Sequence, residues 1–345
     1  MKRFMKPTIA EVARRAGVSV GTVSNVLNDK PHVAPPTRRR VLRALHALNY
    51  HPNGVARSLR TRRTLTLGLV VLDLSNPFYA EVVKGVENTA RAFGYRVVVF
   101  DVSYSPQTTR RFVDAMVEMR LDGALFTAGY GDRSPIQRLA RMGVRVVILD
   151  RDVHEFALPS VGIDNTRAVY DAISYLIARG HRRIGYLSEP LQIRTVRCRF
   201  EGYRKALRDH GLPVDPGLIF IDPTLRTGKV QQGYELMRRV VAQTDPLPTA
   251  FFATSDITAI GAMQALKDAG LRVPDDVSLV GFDDIILAQF TDPPLTTVRQ
   301  AKYEMGQAGV RLLMETLRGR KMAPAPKIVL DTTLVIRRSV APPRE

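Results

Sequence analysis

Three short runs of apolar residues at helical spacing occupy the first fifty positions of the chain. Thr8 and Glu11 form the pattern of a capping box ahead of the first run, and Gly17 supplies the left-handed residue that ends it. Ser19 precedes the second run as an N-cap, and the segment 28–31 (Asn-Asp-Lys-Pro) stops that run. Two short helices joined by about three residues at a glycine predict a helix-turn-helix motif.

A third helix is predicted over residues 38–48, with Thr37 as its cap. A generic three-helix bundle is the alternative interpretation, but Ala13 and Gly17, four positions apart, suit the tight helix crossing of a helix-turn-helix. The residues predicted to face the shared core are Ile9, Val12, Ala13, Ala16, Val20, Val23, Val26, Leu27, Val41, Leu42, Leu45 and Leu48.

From residue 65 onward, mostly apolar strands alternate with helices. Strands are predicted at 65–72, 95–102, 124–127, 146–149, 184–187, 219–221, 250–254 and 278–282. Helices are predicted at 77–93, 107–119, 136–141, 166–179, 197–210, 229–242 and 257–269. This alternation indicates parallel sheets covered on both faces. Because the set repeats after about 100 residues, within the usual size of one compact unit, we expect two similar lobes with a cleft between them. The stretch 296–338 is expected to cross back through both.

The distribution of charge changes at the same position, between residues 64 and 65. The whole chain of 345 residues carries a net charge of +18. Residues 1–64 hold 14 basic and two acidic residues, a net charge of +12, whereas the other 281 residues hold 37 basic and 31 acidic ones. A small, very basic head on a nearly balanced body indicates a polyanion-binding module joined to a second module.

Several function classes are disfavoured by what the sequence does not contain. No apolar run approaches about 18 residues and no apolar stretch opens the chain, so we expect a cytoplasmic protein without a membrane segment. Cys198 is the single cysteine, no His/Cys cluster suits a metal, and no nucleotide-binding glycine motif is present. We therefore expect neither an enzyme, nor a metal, nor a cofactor. A periplasmic sugar-binding protein is the other rival class, and the basic head argues against it.

The outward face of the second helix carries the candidate DNA contacts. Val20, Gly21 and Asn25 lie where base edges would be met, and an asparagine can pair with adenine through two hydrogen bonds. For Asn25 a phosphate or water contact is the alternative. Thr22, Ser24 and the cluster 38–40 (Arg-Arg-Arg) are better placed for phosphates, which position a protein without specifying sequence.

Three segments carry a specific resemblance: 8–19 (TIAEVARRAGVS), 22–28 (TVSNVLN) and 49–59 (NYHPNGVARSL). They resemble the lactose-repressor/galactose-repressor (LacI/GalR) family of bacterial transcription regulators, and the similarity runs essentially end to end. The resemblance implies an all-α helix-turn-helix headpiece at 6–52, a hinge helix and linker at 53–64, and an α/β body at 65–339. That body would have two parallel-sheet lobes like those of periplasmic binding proteins.

The same resemblance implies the residues that contact DNA. They are Thr8, Ser19, Val20, Gly21, Thr22, Ser24, Asn25, Asn28, Arg38, Arg39, Asn53, Ala56 and Leu59. Asn25 replaces the arginine most common at that position, and Gly21 leaves one base-contacting position without a side chain. The identity of the outer operator bases is therefore open.

Residues 53–59 resemble a hinge helix that folds only when two copies meet over the operator. Asn53 can cap this helix, which is too short to be stable alone. In the family, the residue matching Leu59 wedges into the minor groove and kinks the DNA. The alternative is that Leu59 packs on the body as a linker residue. Gly54 inside this helix weakens it by up to about 1 kcal/mol.

Polar residues gather after the predicted strands, where open parallel sheets bind ligands. An aspartate after a strand is often only a helix cap, so this pattern alone is weak. The resemblance implies that an effector is held by Asn76, Phe78, Tyr79, Asp150, Arg151, Arg197, Ser255, Asp283 and Gln300. We interpret Asp164, Asp256 and Arg199 as structural caps or packing charges.

Carboxylates, an arginine and aromatic faces suit a sugar as the effector. Gly228 and Ser255 depart from the usual pattern of sugar binders and leave a nucleoside or a sugar phosphate open. No apolar heptads follow the last strand, so we expect a homodimer without a coiled-coil tail. The sequence thus predicts a ligand-responsive repressor that binds a pseudo-palindromic operator as a dimer. Inducer or corepressor action, and activation in place of repression, stay open.

Overall fold

The computed structural model describes residues 7–50, 63–103, 105–127, 134–151, 157–225, 229–319 and 324–344. The chain divides into two compact units, Met1–Thr64 and Leu65–Glu345, called the head and the body below. Asn53, Gly54, Ala56, Leu59 and Gly228, all singled out from the sequence, lie outside the described residues.

The head consists of helices α1 (Ile9–Ala16), α2 (Val20–Leu27) and α3 (Pro35–Ala47). The predicted capping box at the start of α1 is present, and Gly17 ends that helix with φ of 63°. The Ser19 hydroxyl accepts the backbone N–H of Thr22 and so caps α2. The fully buried side chains of this bundle are Val12, Ala13, Ala16, Val23, Val26, Val41 and Ala44.

Three details of the head were predicted wrongly. Val20, predicted to face the shared core, is 44% exposed, because Val23 and Val26 take the inward positions of α2. Helix α3 begins at Pro35 rather than at residue 38, and Thr37 lies inside its first turn instead of capping it. Proline fits the first helical position because its missing N–H would have no partner there. Leu42, predicted to face inward, is 52% exposed because its neighbour Val41 and then Ala44 take the inward positions.

The first lobe of the body is built on a six-stranded sheet with strand order β11-β5-β4-β3-β1-β2, all parallel. Its elements in chain order are β1 (Thr66–Val71), α4 (Pro77–Ala92), β2 (Arg96–Asp101), α5 (Pro106–Glu118), β3 (Gly123–Phe126), α6 (Ser134–Arg141), β4 (Arg145–Leu149) and β5 (Ser160–Ile163). Strand β5 was missed from the sequence because four residues containing a glycine are too short a pattern.

The second lobe has a sheet with strand order β12-β10-β9-β8-β6-β7. Its elements in chain order are α7 (Asn165–Ala178), β6 (Ile184–Ser188), α8 (Arg194–Asp209), β7 (Ile219–Ile221), α9 (Val230–Gln243), β8 (Ala250–Ala253), α10 (Asp256–Asp268), β9 (Ser278–Asp283) and β10 (Thr296–Gln300). Short 3-10 helices lie at Pro216–Leu218 and Ile286–Gln289.

The last segment returns through both lobes, as predicted. Helix α11 (Lys302–Leu317) packs on α4, β11 (Lys327–Leu330) joins the first sheet, and β12 (Thr332–Val335) joins the second. Strand β12 pairs antiparallel with β10, which the alternation of strands and helices did not predict. Helices α4 and α11 can approach closely because Gly85 and Gly306 have no Cβ. A Cβ at either position would clash with the backbone of the partner helix.

Candidate functional site

The outward face of α2 holds the candidate base contacts. Val20 is 44% exposed, Gly21 is also exposed, and Asn25 is half-buried. The hydroxyls of Ser19 and Thr22 lie 3.0 Å apart, so both oxygens belong partly to the cap of α2. That local bonding leaves Val20, Gly21 and Asn25 as the residues with the most freedom to meet DNA.

Asn28 and Arg38 are bonded within the head. The Asn28 amide donates to the backbone carbonyl of Ser24 at 2.6 Å. The Arg38 guanidinium donates to the Asp29 carboxylate and, at 2.7 Å, to the backbone carbonyl of Lys30. A phosphate would have to compete with Asp29 for Arg38.

The neighbouring Arg39 and Arg40 have exposed side chains. Within the cluster 38–40 they are therefore the side chains more accessible to a phosphate. Thr8 is exposed as well, although its hydroxyl and N–H both bond to the Glu11 carboxylate in the capping box.

A cleft in the body lies at the carboxyl ends of strands from both lobes and contains about 630 Å³ of empty space, part of it open to solvent. Its apolar walls are Leu72, Phe78, Tyr79, Ile193 and Val196. Its uncharged polar walls are Asn76, Thr127 and Thr195, and its charged walls are Asp150, Arg151, Glu189, Arg194, Arg199 and Asp283. Residues 72–151 come from the first lobe and residues 189–283 from the second.

The first-lobe wall is set by the start of α4. Asn76 caps this helix by accepting the backbone N–H of Phe78 at 3.0 Å. The rings of Phe78 and Tyr79 then meet edge to face with their centroids 5.0 Å apart. Three side chains predicted from the sequence therefore lie together at the cleft, and two of them, Phe78 and Tyr79, form its aromatic face.

Asp150 and Asp283 bring one carboxyl group from each lobe to the cleft. Burial raises the pKa of both groups to about 7, although the Arg199 guanidinium counteracts the shift at both. Asp283 accepts a hydrogen bond from the Gln300 amide at 2.7 Å, whereas Asp150 Oδ1 is buried with no partner in the described part of the chain. Two carboxyl groups thus face a cleft that favours protons or hydrogen-bond donors.

Arg199, not Arg197, lies at the cleft, which corrects the assignment made from the sequence. Arg197 is exposed and does not line the cavity. Arg199 is 6% exposed; its Nε donates to Asn165 at 2.8 Å and its Nη1 to the carbonyl of Thr254 at 2.6 Å. Its guanidinium carbon also lies 3.8 Å from the centroid of the Phe282 ring. Arg197 was assigned through the family resemblance, at the start of a predicted helix 197–210, whereas α8 begins at Arg194 and Arg199 is the residue on its cleft side.

Two other residues predicted to contact the effector do not line the cavity. Gln300 does not line the cavity and instead orients Asp283. Ser255 is fully buried and caps α10 by accepting the N–H of Thr258 at 3.2 Å. This geometry therefore does not favour direct contact between an effector and either Gln300 or Ser255.

The structural roles expected of two aspartates agree with their contacts. Asp164 caps α7 by accepting the N–H of Arg167 at 2.9 Å. Asp256 is fully buried and accepts hydrogen bonds from the Thr297 hydroxyl at 2.5 Å and the Ile285 N–H at 2.8 Å. Burial, with the nearby Asp283 charge, raises the pKa of Asp256 well above its ordinary value.

Sequence reasoning missed several cleft residues, of which Glu189 is the most important chemically. Glu189 directly follows β6, is 2% exposed, and accepts the Thr254 hydroxyl at 2.5 Å. Its position after a predicted strand was the available signal. The other missed wall residues are Leu72, Thr127, Ile193, Arg194, Thr195 and Val196.

Comparisons with known proteins agree with both units. Residues 8–53 match the family described as bacterial regulatory proteins, lacI family, and residues 173–340 match a periplasmic binding protein-like domain. The HTH-type transcriptional repressor CytR of Escherichia coli (strain K12) is 35% identical over 342 residues, covering 98% of this chain and 97% of CytR.

Two solved structures are similar over nearly the whole chain. The complex of the transcriptional regulator CelR with cellobiose is 34% identical with a TM-score of 0.73, covering 96% of this chain and 99% of that one. The Lac repressor dimer bound to operator and the anti-inducer ONPF has 27% identity and a TM-score of 0.86, covering 98% and 100%.

The fold and these similarities define a two-lobed regulator with a helix-turn-helix head. This chain belongs to the LacI family of bacterial regulatory proteins. It is a DNA-binding transcriptional regulator, as the sequence predicted, and its similar proteins are regulators rather than enzymes. Among the described helices, none is both long enough and apolar enough to cross a membrane.

Proposed function

We propose that this chain is a homodimeric repressor whose affinity for a pseudo-palindromic operator changes when a small polar effector occupies the cleft. The observation that carries this proposal is that both lobes contribute charged side chains to one cavity. A ligand bonded to Asp150 and Asp283 would hold the two lobes at one angle. A regulator that binds chromosomal DNA acts in the cytoplasm.

A sugar is the first candidate for the effector. Adjacent hydroxyl groups can donate to the carboxylates of Asp150 and Asp283 and accept from Arg199. The aromatic pair Phe78 and Tyr79 can cover the C–H face of the ring. The similar CelR structure holds cellobiose, which supports this class of ligand without identifying the compound.

The dimer is supported by an exposed apolar surface on the second lobe. Ile286, Leu287 and Phe290 lie within five residues and are 55%, 44% and 75% exposed. Clustered exposure of large apolar side chains marks an interaction site, and we assign it to a second copy of this chain. The similar Lac repressor structure is a dimer, which supports this assignment.

Operator recognition is assigned to α2. Val20 can contact a thymine methyl group, and Asn25 can pair with adenine in the major groove. A two-fold dimer then requires two half-sites about one helical turn apart. The hinge assigned to 53–59, with Leu59 as its minor-groove wedge, belongs to the same proposal and lies outside the described residues.

The effector can act only through its different affinities for two arrangements of the lobes. If the arrangement it prefers is the one in which the paired hinges fold on DNA, it is a corepressor. If it prefers the other arrangement, it is an inducer.

An operator selected in vitro from random duplexes provides the test. The full-length protein should enrich a pseudo-palindrome, and fluorescence anisotropy should show that a sugar or nucleoside from a panel changes its affinity. Asp283→Asn should keep ligand-free operator binding and lose that change. Enrichment of sequences without two-fold symmetry would contradict the dimeric mode. A parent protein that responds to no compound of the panel would contradict the sugar effector.

A further inference from the structure

We propose that the end of the first lobe opposite the cleft is a second DNA-binding surface, which contacts duplex phosphates without regard to base sequence while the head is bound. All strands of the first sheet are parallel and therefore begin at one edge, called the amino edge below. The inference goes beyond the proposed function because it assigns DNA contacts to the body, and it requires neither an operator nor an effector.

The amino edge is rich in basic residues and poor in acidic ones. It is formed by residues 63–66, where β1 begins, and by the stretches from the last turn of each preceding helix to the first residue of the next strand. Those stretches are 89–96, 115–123, 138–145 and the described part of 314–327. Together these described residues include nine basic and three acidic ones. A surface with this balance favours a polyanion.

The second lobe provides an internal comparison because its six strands follow the same spatial order. The corresponding stretches are 175–184, 206–219, 240–250, 265–278 and 286–296, together with 336–344, which follows the antiparallel strand β12. They hold nine basic and seven acidic residues. Helix carboxyl ends favour basic residues, but they do so equally in both lobes. The helix ends therefore do not explain why acidic residues are scarce at the amino edge of the first lobe.

The three acidic residues do not neutralise this edge. Asp122 accepts the backbone N–H of Leu65 at 3.1 Å, and Glu315 pairs with Arg318 at 3.2 Å, which leaves Glu118 as the remaining acidic group. Arg96 and Arg145 are exposed, and within the described ranges their side chains take part in no ion pair or hydrogen bond. These two arginines are therefore available to a partner outside the chain.

The spacing of Arg96 and Arg145 suits a duplex rather than a small anion. Arg96 lies opposite Thr66 on β1, and Arg145 lies opposite Gly123 on β3. Because Gly123 pairs with Leu67, the next residue of β1, the two arginines differ in level by one residue. They are separated by three strand spacings, or about 14 Å. One small anion cannot contact both, whereas a duplex presents phosphates on the two sides of a groove about 12 Å wide.

The chain from the head enters the body at this same edge. The Leu65 carbonyl accepts the backbone N–H of Arg96 at 2.9 Å, which fixes the entry point beside one of the two arginines. The 14 residues 51–64 span at most about 50 Å even when fully extended. DNA held by the head is therefore tethered to the amino edge, and tethering gives weak contacts a high effective concentration.

Arg96→Ala/Arg145→Ala in the full-length protein tests the proposal. Fluorescence anisotropy with a random-sequence duplex, at salt concentrations from about 50 to about 200 mM, gives the slope of log affinity against log salt. We expect the slope to fall by about 1–2 and the affinity at about 100 mM salt to fall about tenfold or more, as for two lost phosphate contacts. Because the contacts do not depend on sequence, affinities for different duplexes should fall by a similar factor.

Two further variants separate a DNA contact from other effects. Arg182→Ala/Arg208→Ala removes the same charge from exposed positions of the second lobe and should leave the slope unchanged. Arg96→Lys/Arg145→Lys keeps both charges and should bind within about twofold of the parent, since an ammonium group also binds phosphate as a point charge. Equal losses in the two alanine pairs, an equal loss in the lysine pair, or an unchanged slope in Arg96→Ala/Arg145→Ala would each overturn the proposal. The last outcome would leave the edge to another polyanion, such as an acidic protein.

Discussion

The ammonium group of Lys302 donates hydrogen bonds of 2.7 Å to the backbone carbonyls of Asp283 and Asp284. Lys302 is the first residue of α11, which packs on first-lobe elements, whereas Asp283 ends a second-lobe strand. Lys302 Nζ also lies 3.8 Å from Glu81, on the helix that carries Phe78. A single buried charge therefore joins the lobes directly behind the cleft.

Lys302→Met tests this tie, because methionine keeps much of the side-chain volume and removes the donors. Two carbonyls at the positive-φ residues Asp283 and Asp284 then lose their partner. We expect the free energy of unfolding to fall by about 1–3 kcal/mol. Urea unfolding of this variant beside Lys84→Met, an exposed lysine on α4, checks the prediction. Equal stability of the two variants would mean that the tie contributes nothing.

Asp150→Asn should stabilise the ligand-free protein, and increasingly so at higher pH. The folded-state pKa of Asp150 is about 7 against an ordinary value of 3.8, so the folded carboxyl holds its proton where the unfolded one has lost it. The parent therefore loses stability as the pH rises from about 4 to about 7, and the variant does not. We expect an advantage of about 1–4 kcal/mol at pH 8. Asparagine also tolerates the φ of 50° at this position.

Urea unfolding at pH 5 and pH 8 measures this difference. Asp171→Asn, at an exposed residue of α7 paired with Arg167, is the control for the same substitution at a surface carboxylate. A stability difference that shrinks as the pH rises would contradict the assignment of the titrating group to Asp150.

Arg199 and Arg197 provide a matched pair for the cleft. Arg199→Lys loses the paired contacts to Asn165 and Thr254 and the stacking on Phe282, because an ammonium group lacks the planar fork. We expect affinity for any effector found in the panel to fall at least about tenfold, whereas Arg197→Lys should leave it unchanged. Calorimetry on both variants decides, and the reverse order of effects would restore the assignment made from the sequence.

A structural feature could be predicted from the sequence where a side chain within the same few residues marks it. Thr8, Gly17 and Ser19 were assigned correctly because capping chemistry is visible within four residues. The start of helix α8 was misplaced because its cap residue Ile193 leaves no such mark, and Arg199, interpreted as a packing charge, lines the cleft.

Features that depend on distant packing were not predictable in the same way. Glu189 belongs to the cleft because Thr254, 65 residues away, fixes its carboxylate. Lys302 joins the lobes because α11 lies against α4, where Gly85 and Gly306 permit a close approach. The antiparallel pairing of β12 likewise follows from the final crossing of the chain rather than from its own residues.

Alanine substitutions at the neighbouring residues Arg38 and Arg39 should have different effects on stability and on DNA binding. Arg38→Ala removes the bonds to Asp29 and the Lys30 carbonyl, so we expect the head to lose about 1 kcal/mol of stability. Arg39→Ala should leave stability unchanged and reduce the slope of log affinity against log salt by about one phosphate contact. The thermal unfolding transition of the head measures the stability of each variant. Operator titrations at several salt concentrations measure the slope of log affinity against log salt. A salt slope that changes only with Arg38→Ala would reverse the two roles.

Phe290→Asp should separate the subunits. Phe290 is 75% exposed beside Ile286 and Leu287, and a charge placed in a buried apolar interface costs far more than the contact it replaces. We expect the dimer dissociation constant to rise about 100-fold or more, as for a central interface residue. Affinity for a full palindrome should fall toward that for a half-site, since one head then acts alone. Sedimentation velocity and anisotropy on the two DNA lengths measure both effects. Met142→Asp changes another exposed apolar residue, 50% exposed on the first lobe, and should do neither. A Phe290→Asp protein that remains dimeric at the parent's dissociation constant would show that this surface serves a different partner.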